Sequence, residues 1–197
     1  MVTPTMARST AKSTIRRCLL ENFGFKKQTK IGRKLSQSVL SLPVDARFDN
    51  FNKKAIGVLN EILEKTGAEI VVSSDWKRFA TVEELGEYYE NQGIVKKPIA
   101  FTPDLNTCTV QGEVFIWSRK WDLEQTRSIE IKQYLHDHPE ITHWVSIDDL
   151  NMGINYKDPD WGMMDRDWGL TNFVLTPLSN QGIKQSGIKD KILNFLV

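Results

Sequence analysis

Four short apolar runs recur along this chain, and between them they restrict the fold more than any other feature. They are Ala68-Glu69-Ile70-Val71-Val72-Ser73-Ser74, Pro98-Ile99-Ala100-Phe101-Thr102-Pro103, Trp144-Val145-Ser146-Ile147 and Asn172-Phe173-Val174-Leu175-Thr176. Continuous apolar runs rich in β-branched residues read as strands buried on both faces, as in parallel sheets. The segments between them carry helical spacing. Phe51 to Thr66 places Ala55, Ile56, Leu59, Ile62 and Leu63 on one face and stops at Gly67. Thr81 and Glu84 match a capping box, followed by the stripe Leu85, Tyr88, Tyr89 and a stop at Gly93. Arg127 to His138 turns Ile131, Tyr134 and Leu135 inward and stops near Pro139, and Ile188 to Val197 closes the chain as a helix. Strands alternating with helices predict an α/β fold with a parallel sheet covered on both faces.

The first quarter is less ordered. Ile15, Leu19 and Leu20 have helical spacing, so Thr14 to Phe23 reads as a short amphipathic helix, and Val39 to Val44 as an extended piece ending at Pro43. Thr107 to Trp117 suggests a strand or hairpin around Gly112, and Asn151 to Thr171 reads as a loop. At 197 residues the chain is one domain. It divides into a basic, irregular or cap-like segment over residues 1–47 and an α/β core over 48–197.

Charge is unevenly spread. Residues 1–40 hold nine bases (Arg8, Lys12, Arg16, Arg17, Lys26, Lys27, Lys30, Arg33 and Lys34) against Glu21 alone, a net of about +8. With a total of +1, the remainder carries about −7. Such a segment suits a phosphate-bearing substrate or a nucleic acid, or is a solvated lysine-rich surface. No apolar run approaches a membrane span and no signal-peptide core is visible. Cys18 and Cys108 offer neither a disulfide framework nor zinc spacing, which fits free thiols in the cytoplasm. His136, His138 and His143 gather around one helix end, where cations are favoured.

Chemistry is concentrated where Trp144 to Ile147 runs into Asp148-Asp149. Ligands of open α/β sheets sit off the carboxyl ends of strands. Two adjacent acids there repel each other unless a cation intervenes, and Mg²⁺ is a natural occupant. Asp is also a turn former, so the pair also reads as a cap on the following turn. GxGxxG and GxxxxGK[ST] are both absent, which leaves a dinucleotide fold and a P-loop NTPase unsupported.

Taken in order, these strand ends resemble the haloacid dehalogenase (HAD) superfamily of aspartate-nucleophile phosphatases, and in particular the small HAD domains of Swiss army knife RNA repair proteins. The resemblance rests on Phe48-Asp49, Leu59-Asn60-Glu61-Ile62-Leu63, Thr66-Gly67-Ala68, Ile70 to Trp76, Thr102-Pro103-Asp104, Arg127, Glu130-Ile131 and Val145 to Asp149. It covers about Phe48 to Thr176. It implies a three-layer, Rossmann-like, mostly parallel sheet. It also implies that Ser73 donates a hydrogen bond to a transferring phosphoryl group, and that Arg127 or Lys120 neutralises its charge. Asp148, supported by Asp149, would hold Mg²⁺. Ser74, Trp76 and Lys120 would bind substrate, with Trp76 and Arg78 lining the entry or serving as packing and surface charge.

One departure stands out. The family's nucleophile comes from an Asp-x-Asp-Gly motif at the end of the first strand, and no such motif occurs in the first quarter. Asp45 and Asp49 do not follow an apolar strand. The Asp-x-Asp spacings at Asp158-Asp160 and Asp165-Asp167 fall in the late loop. The expectation is therefore a chain truncated at its start, its first and central strand lying outside it. It would be a Mg²⁺-dependent phosphatase of phosphomonoesters, of nucleic-acid ends or nucleotides, inactive for want of its nucleophile. The alternative is a non-catalytic HAD-like module binding phosphate or nucleic acid.

Overall fold

The structure, a computed structural model, describes residues 16–21, 41–105, 107–110, 113–116, 123–154, 157–158, 162–163, 167–176 and 181–197. Its centre is a five-stranded sheet of β1 (Arg16–Glu21), β2 (Glu69–Val72), β3 (Pro98–Phe101), β6 (Ile141–Asp148) and β9 (Phe173–Leu175). The order is β3-β2-β1-β6-β9, and every pairing is parallel. Two antiparallel pairs lie apart from it: β4 (Thr107–Val110) with β5 (Glu113–Ile116), and β7 (Lys157–Asp158) with β8 (Gly162–Met163). An antiparallel pair is thus present on either side of residues 111–112, and the stretch read as a late loop holds β7, β8 and a bridge from Gly153 to Leu170.

The first strand corrects the sequence reading twice. Residues 16–21 are not helical, and the central strand is not missing, because β1 itself lies between β2 and β6. Ile15, Leu19 and Leu20 have a spacing that fits a helix, but the neighbours decide. Cys18 to Glu21 align with Glu69 to Val72 on one side and with Trp144 to Ile147 on the other. Of the piece read as extended from Val39 to Val44, residues 39 and 40 lie outside the described residues, Ser41 and Leu42 form a turn and a bend, and Val44 opens one helical turn, α1 (Val44–Arg47).

Helix α2 (Lys53–Thr66) begins where the Asn52 side chain accepts from the Lys54 and Ala55 amides, and ends at Gly67 in the left-handed region, φ 67°. Helix α3 (Val82–Gln92) carries the expected box: Glu84 N–H donates to Thr81 Oγ1 at 3.2 Å, and Thr81 N–H to Glu84 Oε2 at 3.0 Å. Helices α4 (Leu123–Asp137) and α5 (Ile188–Leu196) complete the set.

Successive strand residues face opposite ways, so the sheet feeds two apolar clusters. Ile70, Val72, Val145 and Ile147 pack with Leu59, Ile62 and Leu63 of α2, Leu85, Tyr88 and Tyr89 of α3, and Ile192 and Leu196 of α5. Val71 joins Ile131 and Tyr134 of α4, with Met152 and Leu170. Arg47 ties α1 to α3. Its guanidinium donates to Glu84 at 2.9 and 3.0 Å and to the carbonyls of Leu42 and Phe79, each at 2.9 Å. These hydrogen bonds, with that from the Thr81 amide, hold the Glu84 carboxyl below its ordinary range.

Two outcomes are expected. Thr81→Ala should cost about 1 kcal/mol in urea unfolding, the usual worth of a cap. Because Glu84 has a lowered pKa in the folded state, its contribution is present above its unfolded value and is lost as pH falls through the folded one. The stability difference between wild type and Glu84→Gln, read from urea midpoints, should therefore shrink on acidification from neutral pH to about pH 3.

Candidate functional site

The carboxyl ends of β2, β1 and β6 lie side by side. In register, Glu21 stands opposite Val72 on one side and Ile147 on the other. The next residues of the flanking strands are Ser73 and Asp148, which therefore bracket the end of β1. Both are buried, Ser73 at 1 % exposed and Asp148 at 0 %. Such an edge is where open parallel sheets take ligands.

Asp148 is engaged at both oxygens. Oδ1 accepts from the Leu150 amide at 2.8 Å, and Oδ2 from Arg127 Nη1 at 3.0 Å. The first contact is the turn cap that the sequence allowed, and the second is an ion pair. Arg127 comes from α4, is itself buried, and has Nη2 3.9 Å from Asp75 Oδ1. Burial pushes the Asp148 carboxyl up to about 7 against the pull of Arg127 and the Leu150 amide, and the neighbouring Asp149 adds to the rise. Asp149 is exposed.

Among the described residues no group of three or more His, Cys, Asp and Glu side chains could hold a metal unaided. Asp148 and Asp149 are the two carboxylates at this strand end.

The other expected site residues divide. Ser74 is buried, and its Oγ accepts from the Trp76 amide at 3.3 Å, capping the 3₁₀ turn Asp75–Arg78. Trp76 stacks on Phe48 with ring centroids 4.4 Å apart and on Phe51 at 5.5 Å, within the large apolar cluster. Arg78 binds Asp104 at two points, 2.8 and 3.1 Å. Lys120, Asp160, Asp165 and most of the basic 1–40 segment lie outside the described residues. The backbone places Asp158 in β7, and Asp167 accepts from Lys132 at its carbonyl, 2.8 Å.

Sequence reasoning missed Lys77. Its side chain is 4 % exposed, and its ammonium donates to Glu130 Oε2 at 2.6 Å, to the Pro103 carbonyl at 2.8 Å and to Thr102 Oγ1 at 3.2 Å. Glu130 Oε1 accepts from the Leu105 amide at 3.0 Å. Burial pulls the Lys77 ammonium down and Glu130 opposes it. The pair fastens the Thr102-Pro103-Asp104 turn and the 3₁₀ turn to α4, the helix that carries Arg127. A signal was available: Glu130 was one of the residues behind the family resemblance, and a buried helical acid needs a cation.

The family comparison adds the decisive observation. The model of the HAD domain in Swiss Army Knife RNA repair proteins matches residues 19–176. The chain belongs to this HAD domain family. The match begins inside β1, ahead of the Phe48 to Thr176 span on which the resemblance rested, so the HAD domain includes the central strand. No curated protein and no solved structure matches the chain. No helix among the described residues is long and apolar enough to cross a membrane.

Breaking the buried pair from one side should be costly. Glu130→Leu leaves the Lys77 charge without its counter-ion and should destabilise by about 3–5 kcal/mol. Lys77→Met with Glu130→Leu should recover most of that loss in denaturant unfolding. A double variant as unstable as the single one would mean that the cost lies elsewhere.

Proposed function

We propose that this HAD domain binds a phosphomonoester, at a nucleic-acid end or on a nucleotide, together with Mg²⁺, and that it hydrolyses the ester poorly or not at all. The observation that carries the reading is the Arg127–Asp148 contact at the strand edge that Ser73 also reaches. The domain is taken as a three-layer, Rossmann-like unit of the HAD type. In it Ser73 donates a hydrogen bond to a phosphoryl oxygen, Arg127 neutralises charge, and Asp148 with Asp149 holds the metal. Bound there, Mg²⁺ would polarise a phosphoryl oxygen.

The limit on turnover comes from β1. The family's Asp-x-Asp-Gly follows the first strand, and here β1 ends at Glu21 with Asn22-Phe23-Gly24 next. Glu21 keeps a carboxylate, one methylene longer than Asp. Phe23 stands where the second Asp is expected, and a phenyl ring moves no proton. Phosphoryl transfer depends on position to within about an ångström, so both changes weaken an attack on phosphorus. A specific observation favours a second reading, an active phosphatase: Glu21 is still an acid at the end of the central strand.

Assays on a generic phosphomonoester with Mg²⁺ separate the two. Wild type should bind inorganic phosphate without turnover, and Glu21→Asp with Phe23→Asp should gain turnover. Hydrolysis by wild type that disappears in Glu21→Gln would instead make Glu21 the nucleophile. Failure of wild type to bind phosphate in the presence of Mg²⁺ would remove the reading altogether.

A further inference from the structure

The Arg127–Asp148 pair has a consequence for how a site of this kind fills. Asp148 is fully buried with both carboxylate oxygens engaged, one of them by a guanidinium nitrogen at 3.0 Å. Mg²⁺ sits about 2.0–2.1 Å from its ligand oxygens. A cation on Oδ2 would then lie against a full positive charge, in surroundings where like charges repel more strongly than in water. The guanidinium spends Nη1 on Asp148, and meeting a phosphate with the whole planar fork would draw that nitrogen away. Arg127 has an outlet. Its Nη2 lies 3.9 Å from Asp75 Oδ1, beyond hydrogen-bond length, and the Asp75 side chain is 52 % exposed. A phosphate offers the planar fork two charged oxygens at once, a stronger partner than a single carboxylate oxygen.

We propose that Arg127 is a latch on Asp148, released when a phosphate group draws the guanidinium away, so that Mg²⁺ and phosphate bind this site together and each binds weakly alone. This rests on the reading of the site as a place for Mg²⁺ and phosphate. It adds that the chain's own arginine holds the metal position until the anion arrives. Asp75, at the head of the 3₁₀ turn, stabilises the guanidinium as it leaves. By reciprocity, the factor by which phosphate tightens the metal equals the factor by which the metal tightens phosphate.

Calorimetric titration of Mg²⁺ into the full chain tests this, with and without saturating inorganic phosphate, for wild type and Arg127→Met. For wild type, phosphate should tighten Mg²⁺ by about tenfold or more. Without phosphate, Arg127→Met should bind Mg²⁺ at least about tenfold more tightly than wild type, and adding phosphate should change little. Equal Mg²⁺ affinity in wild type and Arg127→Met, or no effect of phosphate on wild type, overturns the latch while leaving the site reading standing. If neither protein binds Mg²⁺ under any condition, the site reading falls and the latch with it. Should Arg127→Met not fold, the Arg127 Nε–H signal in wild type, assigned by its loss in Arg127→Lys, takes its place. That signal should stay put with Mg²⁺ alone and move when phosphate is added with it. A signal displaced by Mg²⁺ alone overturns the proposal.

Discussion

Parallel pairing of β1 to both of its neighbours is the constraint on which the rest of the structure depends. Without β1, the sheet would be two separate pairs, β3 with β2 and β6 with β9. With it, the end of β2 and the end of β6 are set one strand apart on each side of Glu21. Parallel neighbours need long crossovers, so the alignment of Ser73 with Asp148 draws on contacts far apart in the chain. The helices follow from the same frame: α2, α3 and α5 pack with the cluster that contains Ile70 and Val72, and α4 with Val71.

Most of this frame is legible in the residues. β2, β3, β6 and β9 are continuous apolar runs, and the helix ends at Gly67 and Gly93 are where they were expected. β1 was not legible, and the reason is physical. Arg16, Arg17 and Glu21 charge both ends of Cys18-Leu19-Leu20, and the strand has no β-branched residue. Read locally, that is a helix. Only the sheet's need for a central strand makes it extended, and such non-local pairing overrides propensity. Once β1 is placed, the end of the central strand is Glu21, within the chain and not upstream of it.

The site was legible in part. Asp148 stood out as an acid ending a buried strand, and Arg127 as a base at the start of a helix, and the structure joins them. Trp76 illustrates what composition alone cannot separate: an aromatic beside a strand end can face a ligand or a core, and here Phe48 and Phe51 stack on it. Lys77 was invisible because a lysine in a polar run looks solvated. Its burial depends on Glu130, 53 residues away in sequence.

The turn Asp75–Arg78 concentrates these dependencies. Its four consecutive side chains reach four places: Asp75 toward Arg127, Trp76 onto Phe48, Lys77 to Glu130, and Arg78 to Asp104. A 3₁₀ helix advances about a third of a turn per residue. One inserted or deleted residue would therefore rotate every following side chain by about 120° and take its contacts out of phase together. Loops normally tolerate changes of length, whereas this turn has only one workable length. Variation in the domain should accordingly take the form of substitutions within the turn and insertions outside it.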